Sequence, residues 1–124
     1  MSDVKTTVDA YLDGLTQTDA ERRAELIRTA WAEDARFVDP LFDVQGHAAL
    51  DDLAQGVIAQ YPGHTFRRTS GVDVHHNLAR YTFEFVAPDG TIVITGTDVG
   101  ELAEDGRLQA ITGFFGDVPA DEAA

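Results

Sequence analysis

Ala35-Arg36-Phe37-Val38-Asp39-Pro40-Leu41-Phe42-Asp43-Val44-Gln45-Gly46-His47 holds the transition on which the fold turns. Alternating apolar residues lead into an Asp-Pro step, an irregular loop follows, and a glycine opens a helical pattern. Asp39 ends a strand-like run, and Pro40 removes a backbone donor and fixes the direction in which the chain leaves. A carboxylate among Phe37, Val38, Leu41 and Phe42 has apolar company that favours its protonated form. Proton-transfer bases are often made this way. The same residue serves equally well as an Asp that ends a strand and caps a turn.

On the N-terminal side of this stretch the periodicity is helical. Val4, Val8, Tyr11, Leu12 and Leu15 predict a helix from about Asp3 to Thr16. Thr18 followed by Glu21 reads as a capping box that opens a second helix through Leu26, Ile27, Ala30 and Trp31. On the C-terminal side Gly46 leads into a third helix, with Leu50, Leu53, Ala54, Val57, Ile58 and Tyr61 on its buried face, and Pro62-Gly63 stops it. Beyond Pro62 the period changes to two. Four strands are expected, over Thr65 to His75, Leu78 to Ala87, Thr91 to Leu102 and Leu108 to Phe115. The breaks His76-Asn77, Pro88-Asp89-Gly90 and Glu104-Asp105-Gly106 are turn sequences of hairpin length. An α+β domain follows, with three N-terminal helices on one face of a curved antiparallel meander, spanning residues 1–116 and followed by an acidic, frayed tail, 117–124. A sheet curled around helices leaves a cone with a mouth, the kind of place pockets favour.

The bulk numbers narrow the function. A chain of 124 residues with 44% hydrophobic and 25% charged content is long enough for one real core. With no cysteine, disulfides and thiolate chemistry are excluded. A net charge of −13 argues against nucleic acid and anionic membrane surfaces and favours a neutral, mostly apolar small ligand. No apolar run approaches the roughly 20 residues that span a bilayer, and the N-terminus lacks a signal-peptide pattern. A cytoplasmic location is expected.

Strand alternation then sorts the candidate pocket. Asp98 shares a face with Gly96, Ile94 and Ile92; Ile111, Gly113 and Phe115 face the same way on the next strand, and Tyr81, Phe83 and Phe85 on the preceding one. An acid on such a face must be protonated, hydrogen-bonded to a partner such as Tyr11, or placed at a wet mouth. Gly96 and Gly113 would leave room inside the cone, or else mark a bulge or bend. Trp31, Phe37, Phe42, Tyr81, Phe83, Ile111 and Phe115 are core residues first and pocket lining second. His47, His64 and His75-His76 read as loop or helix-start residues; adjacent histidines on a strand face opposite sides and cannot easily share a metal. No zinc-type spacing is present. Arg80, Thr82, Glu84, Thr95 and Thr97 make a mixed polar outer face.

This arrangement resembles the nuclear transport factor 2-like superfamily, in particular the branch holding ketosteroid isomerase and the SnoaL-like polyketide cyclases. The similarity runs from Tyr11 to Gly116. It is most specific in Trp31-Ala32-Glu33-Asp34-Ala35-Arg36-Phe37-Val38-Asp39-Pro40, in Gly46-His47-Ala48-Ala49-Leu50 and in Thr112-Gly113-Phe114-Phe115-Gly116. In ketosteroid isomerase an Asp-Pro aspartate moves the proton, while a first-helix Tyr and a protonated Asp on a late strand form the oxyanion hole. The resemblance places these roles on Asp39, Tyr11 and Asp98 and gives the histidines none. It implies a cofactor-independent isomerase or cyclase acting at carbon next to a carbonyl, and a homodimer joined through the outer sheet face. Epoxide hydrolase-like water activation ranks lower, since that branch's Arg-x-Asp strand pattern is missing. The alternative is a dimeric module of the same fold that binds a small apolar ligand or a partner protein without chemistry.

Overall fold

The computed structural model describes residues 3–121. Met1, Ser2 and residues 122–124, including the end of the acidic tail, lie outside them. Three helices, α1 (Val4–Gly14), α2 (Ala20–Ala30) and α3 (His47–Gln60), accompany seven strands. The strands are β1 (Trp31–Val38), β2 (Asp43–Gln45), β3 (Thr65–Arg68), β4 (Asp73–His75), β5 (Leu78–Val86), β6 (Ile92–Leu102) and β7 (Leu108–Phe115).

The first two helices begin where a side chain satisfies free backbone donors, whereas α3 opens at Gly46 without a side-chain cap. Asp3 caps α1, accepting from Lys5 N. The second helix starts one residue later than the Thr18–Glu21 box predicts. Asp19 is its cap, with Oδ2 2.9 Å from Arg22 N, because a carboxylate at this position satisfies the third helical N–H directly. Trp31 is not helical. Its backbone is extended (φ −116°, ψ 137°) and it opens β1, so the strand that runs toward Asp39 begins directly at the end of α2. Arg23, buried between the helices, binds Asp51 at 2.7 Å and the Gln17 carbonyl at 2.9 Å, tying α2 to α3 and to the α1–α2 connection.

The sheet departs from a pure meander. Its order is β2-β1-β7-β6-β5-β3, with β4 also paired to β5. The β5–β6 and β6–β7 hairpins form as the turns predict, with Gly90 (φ 90°) and Gly106 (φ 89°) supplying the left-handed turn residue. The last strand, however, lies parallel to β1, with Phe37 opposite Ile111. The sheet is therefore mixed, curved and unclosed, with the helices packed on it. The expected strand Thr65 to His75 splits into β3 and β4. Between them the Ser70 hydroxyl accepts the Thr82 N–H at 2.9 Å, in place of a backbone carbonyl, and Gly71 follows. Val8 and Leu12 of α1, Ile27 of α2 and Leu50 of α3 are buried against Phe37, Leu108 and Ile111. Each such side chain contributes about 1.5–3 kcal/mol by leaving water. None of the described helices is long and apolar enough to cross a membrane.

Candidate active site

Asp39 is the first residue after β1, at the tip of the β1–β2 connection. Its backbone closes that tip, with Asp39 N donating to Phe42 O at 2.9 Å. Its side chain does the same work: Oδ1 accepts the N–H groups of Leu41 (2.8 Å) and Phe42 (2.9 Å). The strand-ending Asp and the cavity-facing Asp are therefore one residue. Partial burial raises the Asp39 pKa, and the two backbone N–H groups oppose the rise.

Asp98 stands mid-strand on β6 and is only 2% exposed. Its bonded partner is Tyr81, directly across on β5, whose hydroxyl donates to Oδ2 at 2.7 Å. The Tyr81 hydroxyl is the one that meets full hydrogen-bond geometry. Tyr11 stands beside the same carboxyl, close enough for each to perturb the other's ionisation. Burial pushes Asp98 up to about 6, the two tyrosine hydroxyls pull it down, and the neighbouring Asp39 charge adds a smaller rise. Burial, with the nearby Asp98 charge, also keeps both tyrosines protonated, their pKa values lying well above the ordinary one. The Tyr11 ring is fixed edge-on against Trp31 (centroids 5.1 Å apart) and tilted against Phe37 (6.0 Å).

Asp39, Tyr11 and Asp98 open onto one cavity of about 400 Å³. Its wall is mainly aromatic and aliphatic; Phe37, Phe42, Phe83 and Phe115 stand on it, and its lining includes no Lys, Arg or His. The third helix adds Val57 and Gln60 to the lining, its C-cap adds Tyr61, and the β1–β2 connection adds Leu41, which is 65% exposed.

Five expected wall residues lie behind it. Trp31 is buried in the core against Tyr11 and Phe37, and Ile111 is fully buried beneath the helices. Tyr81 is turned toward Asp98. The two glycines do not leave empty space. A β-carbon on Gly96 would fall 2.5 Å from Phe83 Cζ, so the ring occupies that room. One on Gly113 would fall 2.8 Å from Asp98 Oδ1 and 3.3 Å from Asp39 Cβ. Gly113 thus lets the two carboxylates approach each other across β7.

Tyr81 is the site residue whose role the alternation pattern misses. The signal was present in the turn: the β5–β6 hairpin pairs Phe85 with Ile94, Phe83 with Gly96 and therefore Tyr81 with Asp98. Tyr81→Phe removes a bond that stabilises the ionised acid, so the Asp98 pKa should rise above about 6. Carboxyl-carbon NMR titration of the two proteins measures this, and an unchanged or lowered value would refute the assignment. Among the described residues, no group of three or more His, Asp or Glu side chains is placed to hold a metal ion.

With this geometry in place, comparison with known proteins identifies the family. The model of the SnoaL-like domain matches residues 8–111, and the chain belongs to the SnoaL-like branch of the nuclear transport factor 2-like superfamily. It is similar to a candidate isomerase of the SnoaL-like family from Agrobacterium tumefaciens strain C58, with 34% identity and a TM-score of 0.83 over 90% of this chain and 96% of that one. A nuclear transport factor 2-like protein of unknown function from Exiguobacterium sp. 255-15 shares the fold at 20% identity and a TM-score of 0.68, covering 90% of this chain and 99% of that one. So does a candidate SnoaL-like polyketide cyclase from Jannaschia sp. CCS1, at 16% identity and 0.67, covering 93% and 89%. No curated protein matches the chain.

Proposed function

We propose that this protein is an isomerase or cyclase that moves a proton at carbon next to a carbonyl, within a hydrophobic pocket. The observation that carries the reading is the meeting of Asp39, Tyr11 and Asp98 on one apolar cavity that has no basic residue in its lining. Oδ1 of Asp39 is held by two N–H groups, which leaves Oδ2 to take the proton. The Tyr11 hydroxyl, and Asp98 in its protonated form, are the donors for the oxygen on which charge develops. Tyr81 positions Asp98 and does not meet the substrate. The chemistry uses side chains alone, and the aromatic wall suits a small, uncharged carbonyl compound, which fits the kinship with a candidate SnoaL-like isomerase. Turnover of a β,γ-unsaturated ketone, followed by the absorbance of the conjugated product, tests the reading. Binding of such ketones without turnover would establish the alternative, a ligand-binding module of the same fold.

The outer sheet face supports the homodimer as a proposal. Val93, Val99 and Phe114 are exposed there among Arg80, Thr82 and Thr95, and Phe114 is 60% exposed. These apolar side chains are missed if the face is read from its Arg and Thr residues alone. A second copy related by a two-fold axis would cover them. Phe114→Lys should convert the dimer to monomer in sedimentation equilibrium; a wild-type protein that sediments as a monomer refutes the proposal.

A further inference from the structure

The β4–β5 hairpin carries the second chemistry-bearing cluster. The tip of that hairpin, residues 75–78, lies outside the cavity and supplies none of its lining residues. The chain reverses between His75 and Leu78 through the two-residue link His76-Asn77. Two-residue links of this kind need a positive φ at their first residue, a position for Gly, Asn or Asp. Here it is histidine, at φ 53°, and among the described residues it is the one non-glycine with positive φ. Such an outlier points to a role for the side chain it carries.

The left-handed backbone at His76 also changes where its ring goes. Regular alternation would put adjacent histidines on opposite faces. Instead the Nδ1 atoms of His75 and His76 share a hydrogen bond at 3.0 Å, with the ring planes 88° to one another, and a bound ion would take the place of the shared proton. Both rings are exposed, and neither makes another hydrogen bond among the described residues. Two imidazole nitrogens bound to one metal at right angles, with bonds of about 2.0–2.1 Å, stand about 3 Å apart. Asp73, two residues before His75, is held by Arg80 at 2.8 Å and is not free to contribute.

We propose that His75 and His76 form a two-nitrogen chelate on the hairpin for a divalent transition metal of the Cu²⁺ or Ni²⁺ kind. Imidazole pairs suit these ions, Cu²⁺ binds tightest in the divalent series, and water fills the remaining positions. The net charge of −13 raises the local concentration of any cation. The ion closes the turn from outside, so it binds the folded chain in preference to the unfolded one and raises Tm.

The probe is CuCl₂ in a non-coordinating buffer, titrated by calorimetry into the full chain, with electron paramagnetic resonance of the bound ion. One ion per chain is expected, with coupling to two nitrogens. His76→Asn keeps a residue that tolerates the turn and removes only the ring; His75→Ala removes the other ligand. Each should weaken Cu²⁺ binding at least about tenfold, the loss that removal even of an outer partner gives. It should also abolish the Cu²⁺-induced rise in Tm. Equal affinity in the variants, or single-nitrogen coupling in the wild type, overturns the proposal. Turnover of the ketone is a separate readout and should not change in either variant.

Discussion

Asp39→Asn should lower kcat/KM on a β,γ-unsaturated ketone by about 10²–10⁴-fold, the contribution of a positioned base. Asparagine keeps the carbonyl oxygen that accepts from Leu41 and Phe42, so the β1–β2 tip should hold its shape. Binding of a product-like ketone should therefore stay within a few-fold of wild type. The pairing of lost turnover with retained affinity is what separates a base from a structural Asp. Turnover within a factor of ten of wild type would remove Asp39 from the chemistry. A parallel loss of affinity and Tm would assign it to the fold alone.

The second large effect is on stability, and its sign follows from Asp98. Folding raises its pKa from 3.8 to about 6, so between those values the native state binds more protons than the unfolded state. Stability then falls as pH rises from about 4 through about 6, and at neutral pH the chain carries the cost of a buried charge. Asp98→Asn removes that charge. Its amide oxygen can still accept from Tyr81, and its amide nitrogen can donate to Tyr11. The variant should be more stable than wild type at pH 7 by about 1–3 kcal/mol, an order-of-magnitude figure from two pKa units. The gain should vanish near pH 4, and urea midpoints at the two pH values measure it. Equal destabilisation at both would show that Asp98 is a structural acceptor whose charge carries no cost. Activity should move the other way, dropping about 10²–10³-fold if Asp98 donates to the developing oxyanion. In the wild type, the protonated acid is the donor, so kcat/KM should have a falling limb near pH 6.

The elements built from local signals were legible. Asp89-Gly90 and Asp105-Gly106 placed two hairpins, alternation turned Asp98 inward, and the Asp-Pro step located the end of β1. What the chain does not write locally is the meeting of distant strands. Nothing in the period of Trp31 to Val38 says that Leu108 to Phe115 will lie beside it in parallel. Trp31 could be read into α2 because its spacing continues the helical pattern, whereas its backbone turns extended at the helix end. Tyr81 looked like one more inward aromatic until pairing register set it against Asp98. The room beside Gly96 and Gly113 was the hardest to foresee. A glycine declares that something comes close, and here the visitors are Phe83 and the carboxylates rather than a ligand.

The parallel pairing of β1 with β7 has a consequence for the order in which the protein comes into being. Asp39 leaves β1 at a point fixed by Val38 lying opposite Thr112, and Asp98 is flanked by Gly113. Both acids thus owe their positions to β7, which leaves the ribosome after every other described strand. The helices and the β5–β6 hairpin can organise through nearer contacts, but closing the loop from β1 to β7 spans most of the chain, and such contacts form late. The nascent chain can hold a partial core well before Asp39 and Asp98 stand side by side. The meeting of the two acids is therefore expected late in folding.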